Sequence, residues 1–167
     1  MAIFKRTDPA LFAGLEEVLG SRPEVLAHGT GDDVVLAGTR EALVLGQDGT
    51  WTVWPWEQVG GGSWKGESQT FRWKTVDGAK HDVRLTEPGQ LPALFRERIE
   101  ASTVVQVVLD APRRGEVQIV ARRGLGADEP VQWYAVPSGG ADLNDPETRE
   151  AVVAETDRLI SEYFPER

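Results

Sequence analysis

The chain has no cysteine and only two histidines among its 167 residues. Without cysteine there is no disulfide, no thiolate nucleophile and no Cys-ligated metal centre. A basic island is also missing. The net charge is −9, and residues 21–101 hold 9 basic against 12 acidic side chains, residues 102–167 7 against 12. Acidity spread in this way repels phosphate backbones and anionic headgroups, so neither nucleic acid nor a membrane surface is an expected partner. No apolar run approaches the roughly 20 residues of a membrane span. The start, Met1 to Asp8, reaches charge and Pro9 without the apolar stretch of a signal peptide. The expected location is the cytoplasm.

Tryptophan, in contrast, is concentrated. Five of the six fall at Trp51, Trp54, Trp56, Trp64 and Trp73. A tryptophan buries about 150–250 Å² when packed, so such a cluster marks either a dense sheet core or an exposed aromatic face.

The pattern begins with a helix. Asp8-Pro9 has the form of an N-cap and first helical residue, and Leu11, Phe12, Leu15, Val18 and Leu19 follow at helical spacing up to Gly20. From Glu24 the period becomes strand-like. Short strands are predicted at 25–28, 33–38, 41–45, 50–54, 56–59, 69–76 and 80–85. Asp48-Gly49 and Asp77-Gly78 carry hairpin signals, Pro55 a corner, and Gly60-Gly61-Gly62 a turn or bulge. A helix over about 88–101 follows, with Leu91, Leu94 and Phe95 on one stripe and Pro92 in its first turn. Three further strands are predicted at 103–109, 116–122 and 131–136. A last helix opens at Asp145-Pro146, with Val152, Val153, Thr156, Leu159, Ile160, Tyr163 and Phe164 forming a broad apolar stripe.

Seven short antiparallel strands followed by one helix is the order of a pleckstrin-homology-like (PH-like) barrel. Leu36-Ala37-Gly38-Thr39-Arg40-Glu41-Ala42-Leu43 and Trp54-Pro55-Trp56-Glu57-Gln58-Val59 resemble the corresponding strand and corner of bacterial PH-like domains. Leu94 to Ser102, Val117 to Arg123 and Asp142 to Arg149 resemble an actinobacterial group of about this length. That resemblance implies a fold and carries no activity with it. The expected class is α+β. A PH-like antiparallel β-barrel capped by a helix would occupy residues 21–102, after an N-terminal helix at 1–20 and before a C-terminal β-β-β-α extension at 103–167. Many PH domains take phosphoinositides on a basic first loop. Here that loop, Gly29 to Asp33, holds two acids and no Lys or Arg, which argues against such binding.

Catalytic patterns are weak. His28 and His81 lie in strands, and neither has the spacing of a zinc pair. Ser138 and Ser63 sit beside glycines without a nucleophile elbow. Gly61 to Gly66 spaces like a phosphate loop, but Glu67 stands where lysine is required. Asp32-Asp33, Asp128-Glu129 and Asp142 with Asp145 have the character of solvated acids. Arg113-Arg114 and Arg122-Arg123 flank one strand and are expected as solvated turn residues.

Strand parity divides the tryptophans. Trp51 shares a face with Val53, and Trp54 shares one with threonines, so Trp51 is expected inside and Trp54 outside. Trp56 and Trp73 are expected in the core. Trp54 and Trp64 are left as a possible partner surface. The functional expectation is a non-enzymatic interaction module that binds a protein partner or itself, with no catalytic, metal or cofactor residues. The alternative is a small apolar or aromatic ligand held between barrel and extension near Trp54, Trp64 and Trp133, and behind it an enzyme whose catalytic pattern is not recognisable in the sequence.

Overall fold

The computed structural model describes residues 9–126 and 129–165. The chain is α+β, with ten strands in three antiparallel sheets and three α-helices among these residues. The first sheet is a meander of β1 (Val25–Gly31), β2 (Val34–Thr39), β3 (Ala42–Gln47) and β4 (Thr50–Pro55). A 3-10 turn, Trp56–Gln58, leads into the second sheet of β5 (Val59–Lys65), β6 (Thr70–Thr75) and β7 (Lys80–Arg84). Asp48 and Gly49 both adopt positive φ, 53° and 74°, as the tight β3–β4 hairpin requires.

The expected closed barrel does not form. No ladder joins β4 to β5, and between the first sheet and the β7 end only an isolated bridge pairs Thr30 with Glu87. The break has a local cause. Pro55 has no N–H to donate, and the following residues coil into the 3-10 turn instead of continuing the strand. The glycine triplet, for its part, lies inside β5. The register slips between Val59 and Gly61, so the triplet carries a bulge and the turn falls later, at 66–69.

The two sheets face each other across a core of Leu36, Leu43, Trp56, Val59, Phe71, Trp73 and Leu85. Helix α2 (Leu91–Ser102) closes one end, with Leu91 and Phe95 buried in that core. It starts three residues later than expected because Gly89 turns the chain at φ 55° first. Phe95 meets Trp56 and Phe71 edge-on, at ring separations of 5.6 and 5.0 Å, the arrangement the ring quadrupoles favour.

The outer face of the first sheet is covered as well. The N-terminal segment is a 3-10 turn, Pro9–Phe12, and a short helix α1 (Leu15–Leu19), in place of one ten-residue helix. Gly14, at φ 85°, separates them; the expected cap Asp8 lies outside the described residues. Leu15 is fully buried with Ala37, Ala42 and Val44, and Trp51 and Val53 pack beside them. With both faces covered, every residue of β2 is buried, which is why it reads as a continuous apolar run.

The C-terminal unit is the third sheet, in order β10-β9-β8, with one helix on it. Its elements are β8 (Thr103–Asp110), β9 (Glu116–Arg123), β10 (Val131–Ser138) and α3 (Pro146–Tyr163). Asp145 caps α3 by accepting from the Thr148 N–H (3.2 Å) and hydroxyl (2.9 Å). Val152 and Leu159 bury against Val105, Val117, Ile119 and Ala121. The buried stripe is narrower than expected, since Val153, Ile160 and Tyr163 are exposed.

Gly31 in β1 lies against the backbone of β7. A Cβ there would lie 2.1 Å from the Arg84 carbonyl oxygen. Gly31→Ala must push backbone apart, and the expected cost is about 1–3 kcal/mol. Urea unfolding should show a lower midpoint with an unchanged slope.

Candidate functional site

One buried, charged side chain bonds the C-terminal unit to the two-sheet body, where Leu125 also packs on the main core. Along β9, Val117, Ile119 and Ala121 face α3, so period-2 alternation turns Val120 and Arg122 toward the body. Arg122 is 1% exposed. Its Nη1 donates to the Val59 carbonyl and its Nη2 to the Trp56 carbonyl, both at 2.6 Å. Nε and Nη2 donate to the Ser102 hydroxyl at 3.0 and 2.6 Å. These acceptors come from β5, the 3-10 turn and the last residue of α2. Burial lowers the pKa of the guanidinium, partly opposed by Glu57. The expectation that Arg122 is a solvated turn residue is therefore wrong. Its neighbours fit that expectation better. Arg123 is exposed, and Arg113 lies on the surface 3.6 Å from Asp145 and 3.8 Å from Glu147.

The 3-10 turn is fixed from the other side too. Trp56 Nε1 donates to the Thr39 carbonyl (2.9 Å), and Trp56 N–H to the Glu41 carbonyl (3.1 Å).

Beside this anchor the junction leaves a cleft of about 500 Å³, lined by Trp54, Gln58, Thr75, Asp77, His81 and Tyr134. Trp54 and His81 belong to the body, Tyr134 to β10. His81 stacks on Trp73 with ring centroids 5.3 Å apart at 21°. Trp54 lies 4.9 Å from His81 and edge-on to Trp73 at 5.5 Å. Trp73 Nε1 and His81 Nε2 are buried without a hydrogen-bond partner among the described residues. At the rim, the Thr75 hydroxyl and then the Ala79 N–H hold Asp77 below the ordinary carboxylate range. Burial and then the Glu57 carboxylate push the Tyr134 phenol up, with Arg122 opposing.

A second hollow, about 380 Å³, lies between α1 and the β2–β3 turn. Arg22 and Arg40 line it together with Glu24, Glu41, Glu57 and Glu129. The mixture of signs selects no one ligand charge.

The tryptophans fall differently from expectation. Parity separates Trp51 from Trp54 correctly, but the faces are exchanged. Trp54 packs on the main core, while Trp51 lies on the outer face, donating to the Ala13 carbonyl at 2.8 Å and stacked on Phe12. The sequence shows threonines beside Trp54, yet it cannot show that α1 would cover the other face. Trp64 is half-buried and packed on the main core opposite Phe71. Trp56 and Trp73 are core residues as expected. Trp133 belongs to the third core, against Phe164 at 6.0 Å, so it does not join Trp54 and Trp64. Its neighbour Tyr134, on the opposite face of β10, reaches the cleft instead. The sequence marks Asp77 only as a hairpin residue and gives Tyr134 no signal.

His28 meets Phe12 edge-on at 5.5 Å. The Asp32-Asp33 turn is exposed, as the first-loop reading requires. Among the described residues, no group of three or more His, Asp or Glu could hold a metal ion, and no helix is long and apolar enough to cross a membrane. No protein-family model, no curated protein and no solved structure matches the chain.

Tyr134 gives this site a pH signature. Its raised folded pKa means that the associated stability is complete below the unfolded value near 10 and is lost as pH rises through the folded value. Alkaline absorbance titration should show one phenol ionising late, and Tyr134→Phe should remove it. Urea midpoints above pH 10 should fall less for Tyr134→Phe than for wild type.

Proposed function

We infer that this chain is a PH-like, non-enzymatic interaction module of the cytoplasm, and that it binds a protein partner at the junction cleft. The order of four strands, three strands and a helix set against β1, β2 and β5 supports the PH-like assignment. The observation that carries the functional reading is the cleft itself. It gathers Trp54, His81 and Tyr134 from two units, beside an arginine anchor that fixes those units relative to each other. Half-buried aromatic rings next to polar rim groups are the composition of a protein-binding hot spot. The histidines support a structural role, because His81 is stacked on Trp73 and His28 packs on Phe12. The acidic Asp32-Asp33 turn gives phosphoinositides, nucleic acid and anionic membranes nothing to bind.

One observation favours a second reading, a small aromatic ligand in the same cleft. Trp73 Nε1 and His81 Nε2 have no partner among the described residues, and about 500 Å³ is within the usual range for small-molecule sites.

A pull-down from the native cell should recover a partner with wild type and lose it with Tyr134→Arg, which alters the cleft without touching the main core. Equal recovery by both proteins would reject the cleft as the partner surface. Quenching of tryptophan fluorescence by a metabolite, abolished by Tyr134→Arg, would favour the ligand reading. Turnover of any substrate that depends on His28 or His81 would overturn the non-enzymatic assignment.

A further inference from the structure

Strand β8 is an open edge of the third sheet. It pairs with β9 on one side; apart from the Thr103 N–H, which donates to the Glu100 carbonyl, no described residue bonds its backbone on the other. An uncovered edge is normally blunted by lysine, proline or short length. Thr103–Asp110 is eight residues long, contains neither lysine nor proline, and carries its only charge at Asp110. A register slip at Thr103–Val105 disturbs its start, and the strand is regular from Val105 onward. Its face away from α3 exposes Val104 (38%), Gln106 and Val108 (59%).

The sequence Val104-Val105-Gln106-Val107-Val108 reads the same in both directions. An antiparallel pair formed by a two-fold axis perpendicular to the sheet sets residue i opposite residue j with a constant, even sum. Centred on Gln106, this sets Val104 opposite Val108, Val105 opposite Val107, and the Gln106 amides opposite each other. Centred on Val107, it would set Val104 against Asp110; centred on Val108, Gln106 against Asp110. Across Val104–Val108 only the first register matches apolar with apolar and amide with amide; at its ends it sets Thr103 opposite Leu109. It also keeps the two Asp110 carboxylates roughly 26 Å apart along the strands, at about 3.3 Å per residue. The geometry points to a second copy of this chain as the occupant of the β8 edge, joined β8 to β8 about Gln106 into one continuous six-stranded sheet. This surface is separate from the junction cleft and does not depend on its function.

Sedimentation of the full chain over a range of concentrations should show a reversible monomer–dimer equilibrium. Val108→Lys should weaken the dimer at least about tenfold, since a charge on a strand edge opposes pairing, while its circular dichroism, and its thermal midpoint at a dilution where both chains are monomeric, match wild type. Because the chain has no cysteine, Gln106→Cys supplies a specific probe. Directly opposed residues in an antiparallel pair lie about 4.5–5.5 Å apart at Cα, within disulfide reach. Mild oxidation should cross-link Gln106→Cys into a dimer much faster than Thr52→Cys, an exposed control on β4. A wild-type chain monomeric at all concentrations would overturn the proposal. So would a dimer indifferent to Val108→Lys, or equal cross-linking of the two cysteine variants.

Discussion

The buried guanidinium of Arg122 is the contact on which the arrangement of the molecule depends. Removing an arginine from water costs several kcal/mol, and no carboxylate among the described residues forms a salt bridge with it. Its compensation is a set of four hydrogen bonds to neutral oxygens, and such bonds from a charged donor are worth about 1.5–3 kcal/mol each. The acceptors matter as much as their number. Trp56 and Val59 lie at the corner where the first sheet gives way to the second, and Ser102 ends the helix that closes the core. One planar fork thus ties the C-terminal sheet to three parts of the body together. Methionine of similar length would fill the space and leave the Val59 carbonyl and Ser102 hydroxyl without their donor.

The corner it grips is also part of the main core. Pro55 ends β4, Trp56 turns inward under Phe95, and Trp54 projects toward Trp73 and His81. The cleft follows from this order. The body presents Trp54 and His81, and the arginine sets β10 so that Tyr134 lines the same cleft. The same anchor brings Glu57 near both Arg122 and Tyr134, so one carboxylate influences the ionisation of each.

Much of the fold was legible because it rests on local signals. Asp-Gly pairs marked the hairpins, Asp145-Pro146 began α3 correctly, and all three C-terminal strands were placed within two residues. Long-range facts were not legible. Pleat parity separates Trp51 from Trp54 but cannot say which face meets the main core. That depended on the N-terminal segment covering the outer face, and each face has its own apolar set. Gly60 to Gly62 looked like a turn because glycine favours turns, whereas the strand passes through them with a bulge. The closed barrel is expected from the order of strands and helix and from short segments that resemble PH-like domains, and neither shows whether edges pair.

The candidate site was less legible still. Arg122 stood beside Arg123 in the sequence, and only alternation with the apolar face of β9 hints that the two differ. Tyr134 is one residue from Trp133, and the larger ring drew the attention although it faces α3. Clefts between units are built by residues far apart in sequence, so composition and spacing give them little signature.

Residue-level hydrogen exchange on wild type and Arg122→Met tests directly whether this arginine couples the two units. The account predicts that amide protection drops selectively in β8, β9 and β10, while β2, β3 and β6 keep theirs. An equal loss in all three sheets, or no loss in any, would contradict it.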